Sequence, residues 1–262
     1  MKPFWRWRAH KDDAAEAVDI SEHDGVRSLH LGGSDTIQSS MRISAPHALE
    51  LSYTRSMMGF LLFAPSPAHV LIIGLGGGSL AKFIHHHMMT TRVTAVEINP
   101  QVAAAARAYF ALPDDDERLQ VAIADGADFL AAHASSADVI MVDGFDGAEP
   151  AATLCTEAFY DNCLRALTAD GVLVVNLWGS DRRFGQFVRR IGASFEGRIL
   201  QLPAERRGNV IVLGFRDGLG RPALCELQRR AQALEAAYGL EFGRFVAALQ
   251  ARNQIAGGRL AF

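Results

Sequence analysis

Cysteine is scarce in this 262-residue chain, which has only Cys155, Cys163 and Cys225. Three thiols without metal-ligand spacing exclude a disulfide framework and a zinc module. They point to reduced thiols in a cytoplasmic protein, with no metal. An excess of charge of one sign is lacking too: 26 Lys and Arg stand against 29 Asp and Glu, a net charge of −3. Nucleic-acid binding, which calls for a basic stripe, is disfavoured; a small cationic substrate held by local carboxylates is not. Long apolar runs are absent. The longest lies around 57–63, far short of the ~20 residues of a membrane-spanning helix, so no membrane partner is expected. The opening MKPFWRWRAHKDD holds basic and aromatic residues but no apolar stretch of a secretory signal. Repeats and low-complexity segments are missing as well. What remains is 49% apolar and 21% charged, an ordinary globular balance. The length suits one large α/β domain plus a small appendage, with a core that needs no disulfide or metal.

Two regions differ in rhythm. Residues 17–22 and 26–31 alternate like half-exposed strands around His23-Asp24-Gly25, a hairpin turn. Gly32 to Asp35 makes a second turn and 36–43 a third strand. Residues 46–63 read as a helix, with Leu49, Tyr53, Met57 and Phe60 on one face. From Val70 the pattern becomes strand–helix–strand. Strands are predicted over 70–73, 93–97, 119–123, 139–142 and 171–176, with helices over 79–89, 100–110 and 156–167. A late hairpin over 198–202 and 209–215 and a helix over 222–237 close the chain. The expected fold is α/β: a parallel sheet of the Rossmann-like, S-adenosylmethionine-type methyltransferase kind, with a small N-terminal antiparallel β-domain. The domain division predicted is 1–62 for the small unit and 63–262 for the nucleoside-binding unit.

The chemistry concentrates at strand ends. Gly74-Leu75-Gly76-Gly77-Gly78-Ser79 lies directly between a buried strand and a helix, where glycines let the backbone turn and approach a ligand. Glu97 ends the next strand, 19 residues after Gly78, where a carboxylate can grip ribose hydroxyls. The spacing is Gly-x-Gly-x-Gly, not the Gly-x-Gly-x-x-Gly of dinucleotide sites. Asp125-Gly126 follows the third strand; an N-cap role and a ligand role are compatible there. Asp143 and Asp146 follow the fourth. Two carboxylates on one loop can converge on a cationic amine, and a desolvated one can accept a proton. His85-His86-His87 fan around a helix and do not converge on a metal. Trp5 and Trp7 fit either an interface arm or a disordered or packing N-terminus.

The runs VLIIGLGGGSLAKF, VTAVEINP, VAIADGADFL and VIMVDGFDGAEPAATLCTEAFYDNCLRALTADGVLVVN, in that order, resemble the spermidine/spermine synthases, the polyamine aminopropyltransferases. The upstream Asp35-Thr36-Ile37-Gln38-Ser39 resembles that family's N-terminal β-domain and its glutamine. The resemblance covers residues 17–215 and looks nearest to divergent bacterial members. It implies transfer of an aminopropyl group from decarboxylated S-adenosylmethionine to an amine such as putrescine, leaving methylthioadenosine. Gln38 would touch the donor near its sulfonium, Glu97 would hold the ribose, and Asp125 and Gly126 would lie against the adenine. Asp143 would accept the proton, with Asp146 and Tyr53 on the amine side. A homodimer is common in the family.

Departures accompany the likeness. The family's glycine loop usually reads Gly-Gly-Gly-Asp-Gly-Gly, and its aspartate contacts the donor's amine; here Gly77 stands there. The Tyr-His-Glu or Tyr-Gln-Glu segment is Tyr53-Thr54-Arg55, in a register offset by about five residues, an insertion that loops tolerate. Where an amine-binding tyrosine often sits, the chain has Glu205 within 202–208. Two alternatives therefore stay open: an S-adenosylmethionine-dependent methyltransferase, for whose carboxylated donor Gly77 leaves room, and a non-catalytic nucleoside- or polyamine-binding homologue.

Overall fold

The computed structural model describes residues 6–8, 17–32, 36–146, 149–204, 208–218 and 220–261, with backbone alone for 6–8, 145–146 and 149–150. Trp5, Asp35 and Glu205 lie outside the described residues, and so does the side chain of Trp7.

Four antiparallel strands form the small sheet: β1 (Arg6–Arg8), β2 (Val18–His23), β3 (Val26–Leu31) and β4 (Ser39–Arg42), in that order. Asp24 and Gly25 take positive φ, 49° and 75°, as a two-residue hairpin turn requires. The alternation read from sequence puts Val18, Ile20, Leu29 and Met41 on one face. They pack on Val102 and Ala105 of helix α3 (Pro100–Tyr109) and on Phe110, its C-cap. Two details depart from expectation. Arg6–Arg8 adds a strand by pairing with Asp19 to Ser21, and the strand expected over 36–43 shortens to Ser39–Arg42.

The helix expected over 46–63 is also shorter. It is α1 (Ser52–Met57) followed by a 3-10 turn, Met58–Leu62. Arg55 explains the late start: its guanidinium donates to the carbonyls of Leu49 and Glu50, holding them out of a helical ladder. Gly59 lies in that turn, packed so closely that a Cβ there would come within 2.7 Å of Leu202. Met57 to Leu62 are fully buried in the core of the large sheet, although they follow the small sheet in sequence.

The remaining elements are β5 (His69–Ile73), α2 (Ser79–His87), β6 (Arg92–Glu97), α3, β7 (Leu119–Ile123), α4 (Gly126–Ala132), β8 (Ala137–Val142), a short β9 (Phe145–Asp146) and β10 (Glu149–Pro150) pair, α5 (Glu157–Ala166), β11 (Leu167–Trp178), α6 (Phe184–Ser194), β12 (Ile199–Pro203), β13 (Asn209–Phe215), α7 (Leu224–Tyr238), α8 (Phe242–Arg252) and a β14 (Ile255–Ala256)–β15 (Arg259–Leu260) pair. The large sheet runs β12-β13-β11-β8-β5-β6-β7. β7, β6, β5, β8 and β11 are parallel; β13 returns antiparallel beside β11 and pairs with β12 as the expected hairpin. Strand order therefore reverses between β5 and β8, which opens a crevice at their carboxyl ends.

Each sheet face has its own core. Val70, Ile72, Met141 and Val174 meet the 57–62 segment, α7 and α8. Leu71, Ile73, Ile140 and Val175 meet Phe159, Tyr160, Phe187 and Ile191 of α5 and α6. Helices α6 and α8 are not among the helices expected from sequence, and α4 is foreshadowed only by the N-cap role of Asp125. Among the described residues no helix is long and apolar enough to cross a membrane.

Candidate active site

One cavity occupies the crevice. It is lined by the carboxyl ends of β5, β6 and β8, by the start of α4, and by Leu29, Gln38, Ser39 and Tyr53 from outside the sheet. Of the residues picked out from sequence, Gln38, Tyr53, Gly74, Gly76, Glu97, Asp125, Gly126 and Asp143 all line it.

The glycine turn is required sterically. Gly74 has φ 93°, and a Cβ there would collide with the backbone carbonyl of Asp143. Gly76 lines the cavity. Gly77 and Gly78 do not face it. A Cβ at Gly77 would sit 2.8 Å from both the Phe110 ring and Ser39 Oγ, and one at Gly78 would sit 2.8 Å from Leu112. The missing side chain at position 77 thus opens no room for a donor carboxylate, because Phe110 and Ser39 fill the space.

Glu97 is 8% exposed. Its carboxylate accepts from the amides of Leu75 and Asn99, each at 2.9 Å. Each oxygen accepts one amide and keeps further lone-pair capacity for a hydroxyl. Asp125 caps α4: its Oδ1 accepts from Ala127 N at 2.7 Å and Asp128 N at 3.2 Å. Capping and cavity lining hold together at this residue. Gly126 begins the helix so close to Ile73 that a Cβ would overlap it.

Asp143, half-buried, sits just beyond β8. Asn176 Nδ2 donates to its Oδ1 at 2.8 Å and Tyr53 OH to its Oδ2 at 3.1 Å. Asn209 Nδ2 in turn donates to Asn176 Oδ1 at 3.0 Å. Desolvation pushes the Asp143 carboxyl above the ordinary carboxylate range, while the hydrogen bonds from Asn176 and Tyr53 oppose the rise. Tyr53 is driven well above the usual phenol value, by burial first and then by the neighbouring Asp143, so it stays a neutral donor. An acid held this way is hydrogen-bonded in its charged form and ready to accept a proton.

Asp146 pairs through its backbone with Glu149 in the β9–β10 bend; its side chain is outside the described residues, so its convergence with Asp143 rests on sequence. The reading missed Asn176 and Asn209. Their signal was present: Asn176 interrupts the apolar run of β11, and Asn209 opens β13. Among the described residues lining the cavity, Glu97, Asp125 and Asp143 are the charged groups, and no Lys, Arg or His joins them. No group of three metal-ligating side chains gathers among the described residues. His85 instead meets Asp116 at 2.8 Å, and His86 stacks on His47 at 4.1 Å.

A reversed parallel sheet with a glycine turn and three carboxylates at its strand ends defines a Rossmann-like α/β fold with a strand-end crevice. Known proteins narrow the class. A family model for the spermine/spermidine synthase domain matches residues 50–177. The chain is 47% identical over 260 residues to the polyamine aminopropyltransferase of Chromobacterium violaceum, covering 99% of each. It is 47% identical over 252 residues to that of Neisseria meningitidis, covering 96% of this chain and 95% of the other. A probable spermidine synthase from Corynebacterium glutamicum has the same fold, with a TM-score of 0.72 at 20% identity over 94% of this chain and 96% of that one. The chain belongs to the spermine/spermidine synthase family of polyamine aminopropyltransferases.

Proposed function

We propose that the protein transfers an aminopropyl group from decarboxylated S-adenosylmethionine to a polyamine acceptor such as putrescine. The observation that carries this reading is the cavity's charge: three carboxylates, no cationic side chain among its described residues, and one carboxylate held at the wall by Tyr53 and Asn176. Such a cavity suits two cations, a sulfonium donor and an ammonium acceptor.

The step balances simply. The amine nitrogen attacks the carbon attached to the sulfonium, the C–S bond breaks, and its electron pair stays on sulfur as the neutral thioether of methylthioadenosine. The new ammonium gives its proton to Asp143. Glu97 holds the ribose, with Asp125 and Gly126 toward the adenine and Gly74 and Gly76 beneath the nucleoside. Gln38 lies by the sulfonium, and Tyr53 and Asp146 orient the amine. Since sulfonium is already a good leaving group, the protein mainly positions a deprotonated amine. The working form is proposed to be a cytoplasmic homodimer, which light scattering checks.

Product analysis with decarboxylated S-adenosylmethionine and a panel of di- and triamines tests the reading. A new polyamine and methylthioadenosine should form in equal amounts. Asp143→Asn should lower kcat by roughly 100-fold or more while keeping methylthioadenosine affinity. Absence of product with every acceptor, beside an active control synthase, would overturn it.

A further inference from the structure

Helix α1 has six residues, and its N-cap, Leu51, offers no side-chain cap. A helix this short does not fix its own orientation. Yet it must aim the Tyr53 hydroxyl, which lies 3.1 Å from Asp143 Oδ2 as its donor and 3.4 Å from the Gln38 carbonyl. Residues two apart on a helix stand roughly 200° apart around its axis, so Arg55 leaves α1 on the side away from Tyr53. There its Nε meets Glu241 Oε1 at 2.8 Å, and its NH1 donates to the carbonyls of Leu49 at 3.2 Å and Glu50 at 3.0 Å. The two side chains are 22% and 23% exposed. Glu50 gives Arg55 its carbonyl, while its carboxylate pairs with Arg42 at 2.6 Å.

Glu241 is a fixed foot for this strut. It is the N-cap of α8, whose Phe242, Phe245, Val246 and Leu249 are buried in the core. Its carboxylate does not cap its own helix. Glu235 of α7 takes that part, accepting from the Gly243 amide at 2.7 Å, and Glu241 is committed to Arg55. We propose that Arg55 and Glu241 are positioning residues for the proton acceptor: their ion pair sets the roll of α1 and so aims the Tyr53 hydroxyl at Asp143. The last helix of the chain thereby acts on a carboxylate it does not touch. This rests on the reading of Asp143 as proton acceptor, but its test does not need turnover.

The test follows Asp143 by carboxyl carbon NMR across pH in the protein without substrate, its resonance assigned by loss in Asp143→Asn. Glu241→Gln should raise the titration midpoint of Asp143 by about 0.5 pH unit, and Tyr53→Phe by about 0.5–1. The sign is diagnostic. Removing a negative charge that acts through space would lower the midpoint, whereas a misaimed Tyr53 donor raises it. In the Tyr53→Phe background Glu241→Gln should add nothing, because both act on one hydrogen bond. Arg55→Lys, which can keep the ion pair, should shift the midpoint less than Arg55→Met; should Arg55→Met not fold, Glu241→Gln carries the test alone. The acid limb of kcat/KM should follow the same order, with a loss of about two- to fivefold at neutral pH in Glu241→Gln and methylthioadenosine affinity kept within about twofold. An unmoved or lowered midpoint in Glu241→Gln, or an additive shift in the double variant, would overturn the inference. A protein that titrates as described but makes no polyamine would sink the proposed function and leave the strut standing.

Discussion

Asn176, on β11, and Asp143, just past the end of the parallel neighbour β8, sit side by side, and the Asn176 amide donates to the Asp143 carboxylate at 2.8 Å. The pair in register just before them, Val175 and Val142, is buried. Asn209 continues the row from β13, so three polar side chains, two on adjacent strands and one just past the end of a third, form one line that ends at the proposed base.

That line sets a pH dependence. A donor to the ionised carboxylate favours ionisation, so deleting it raises the carboxyl's pKa. Asn176→Ala should move the acid limb of the kcat/KM profile to higher pH and lower kcat/KM at neutral pH by about tenfold. Tyr53→Phe should move the limb the same way. Asn209→Ala, acting only through Asn176, should give a smaller shift of the same sign. An unmoved limb in Asn176→Ala would separate Asn176 from the base.

Asp143 also costs stability. Its pKa is raised in the folded protein by desolvation, so the folded state holds the proton more tightly than the unfolded chain. Its stabilising contribution is full below the unfolded pKa and is lost as pH rises through the folded one. Asp143→Asn keeps the geometry, since its carbonyl accepts from Asn176 and its amide donates to the Tyr53 oxygen. The variant should therefore show a higher Tm than wild type at pH 8, with the gain vanishing below pH ~4. Thermal scans across that range check it.

Lys82 titrates with the opposite sign. It is 1% exposed, its Nζ donates to the Phe110 carbonyl and lies 3.3 Å from Met41 Sδ, and burial pulls its pKa from 10.5 to about 8. A depressed pKa gives stability that is present above the unfolded value and lost as pH falls through the folded one. Between pH 8 and 10.5 the wild type should gain on Lys82→Met by about 3 kcal/mol. Urea unfolding at the two ends of the window measures the difference; a constant gap would show that Lys82 does not titrate there.

Restoring the family's aspartate at position 77 should fail. A Cβ there meets the Phe110 ring and Ser39 Oγ at 2.8 Å. Overpacking of this kind costs about 1–3 kcal/mol. Gly77→Asp should lower Tm and donor affinity together, and Gly77→Asp with Ser39→Ala should recover part of the loss. Equal stability of Gly77→Asp and wild type would show that the loop yields.

Local pattern alone determined much of this protein. The apolar runs 70–73 and 139–142 announced buried parallel strands, because a strand covered on both faces has no polar side. The glycine turn, Glu97, Asp125 and Asp143 were legible because each lies at a strand end, where chain geometry dictates what faces the crevice. Tertiary structure decided the rest. Asn176 becomes a partner of Asp143, and Asn209 of Asn176, only once β11 lies between β8 and β13, a register set by packing between distant segments. Tyr53 reaches Asp143 across 90 residues from a short helix whose start depends on Arg55. Gly77 looked in sequence like space made for a ligand; in the fold, Phe110 and Ser39 fill that space, because an empty place beside a close-packed core is taken up by its neighbours.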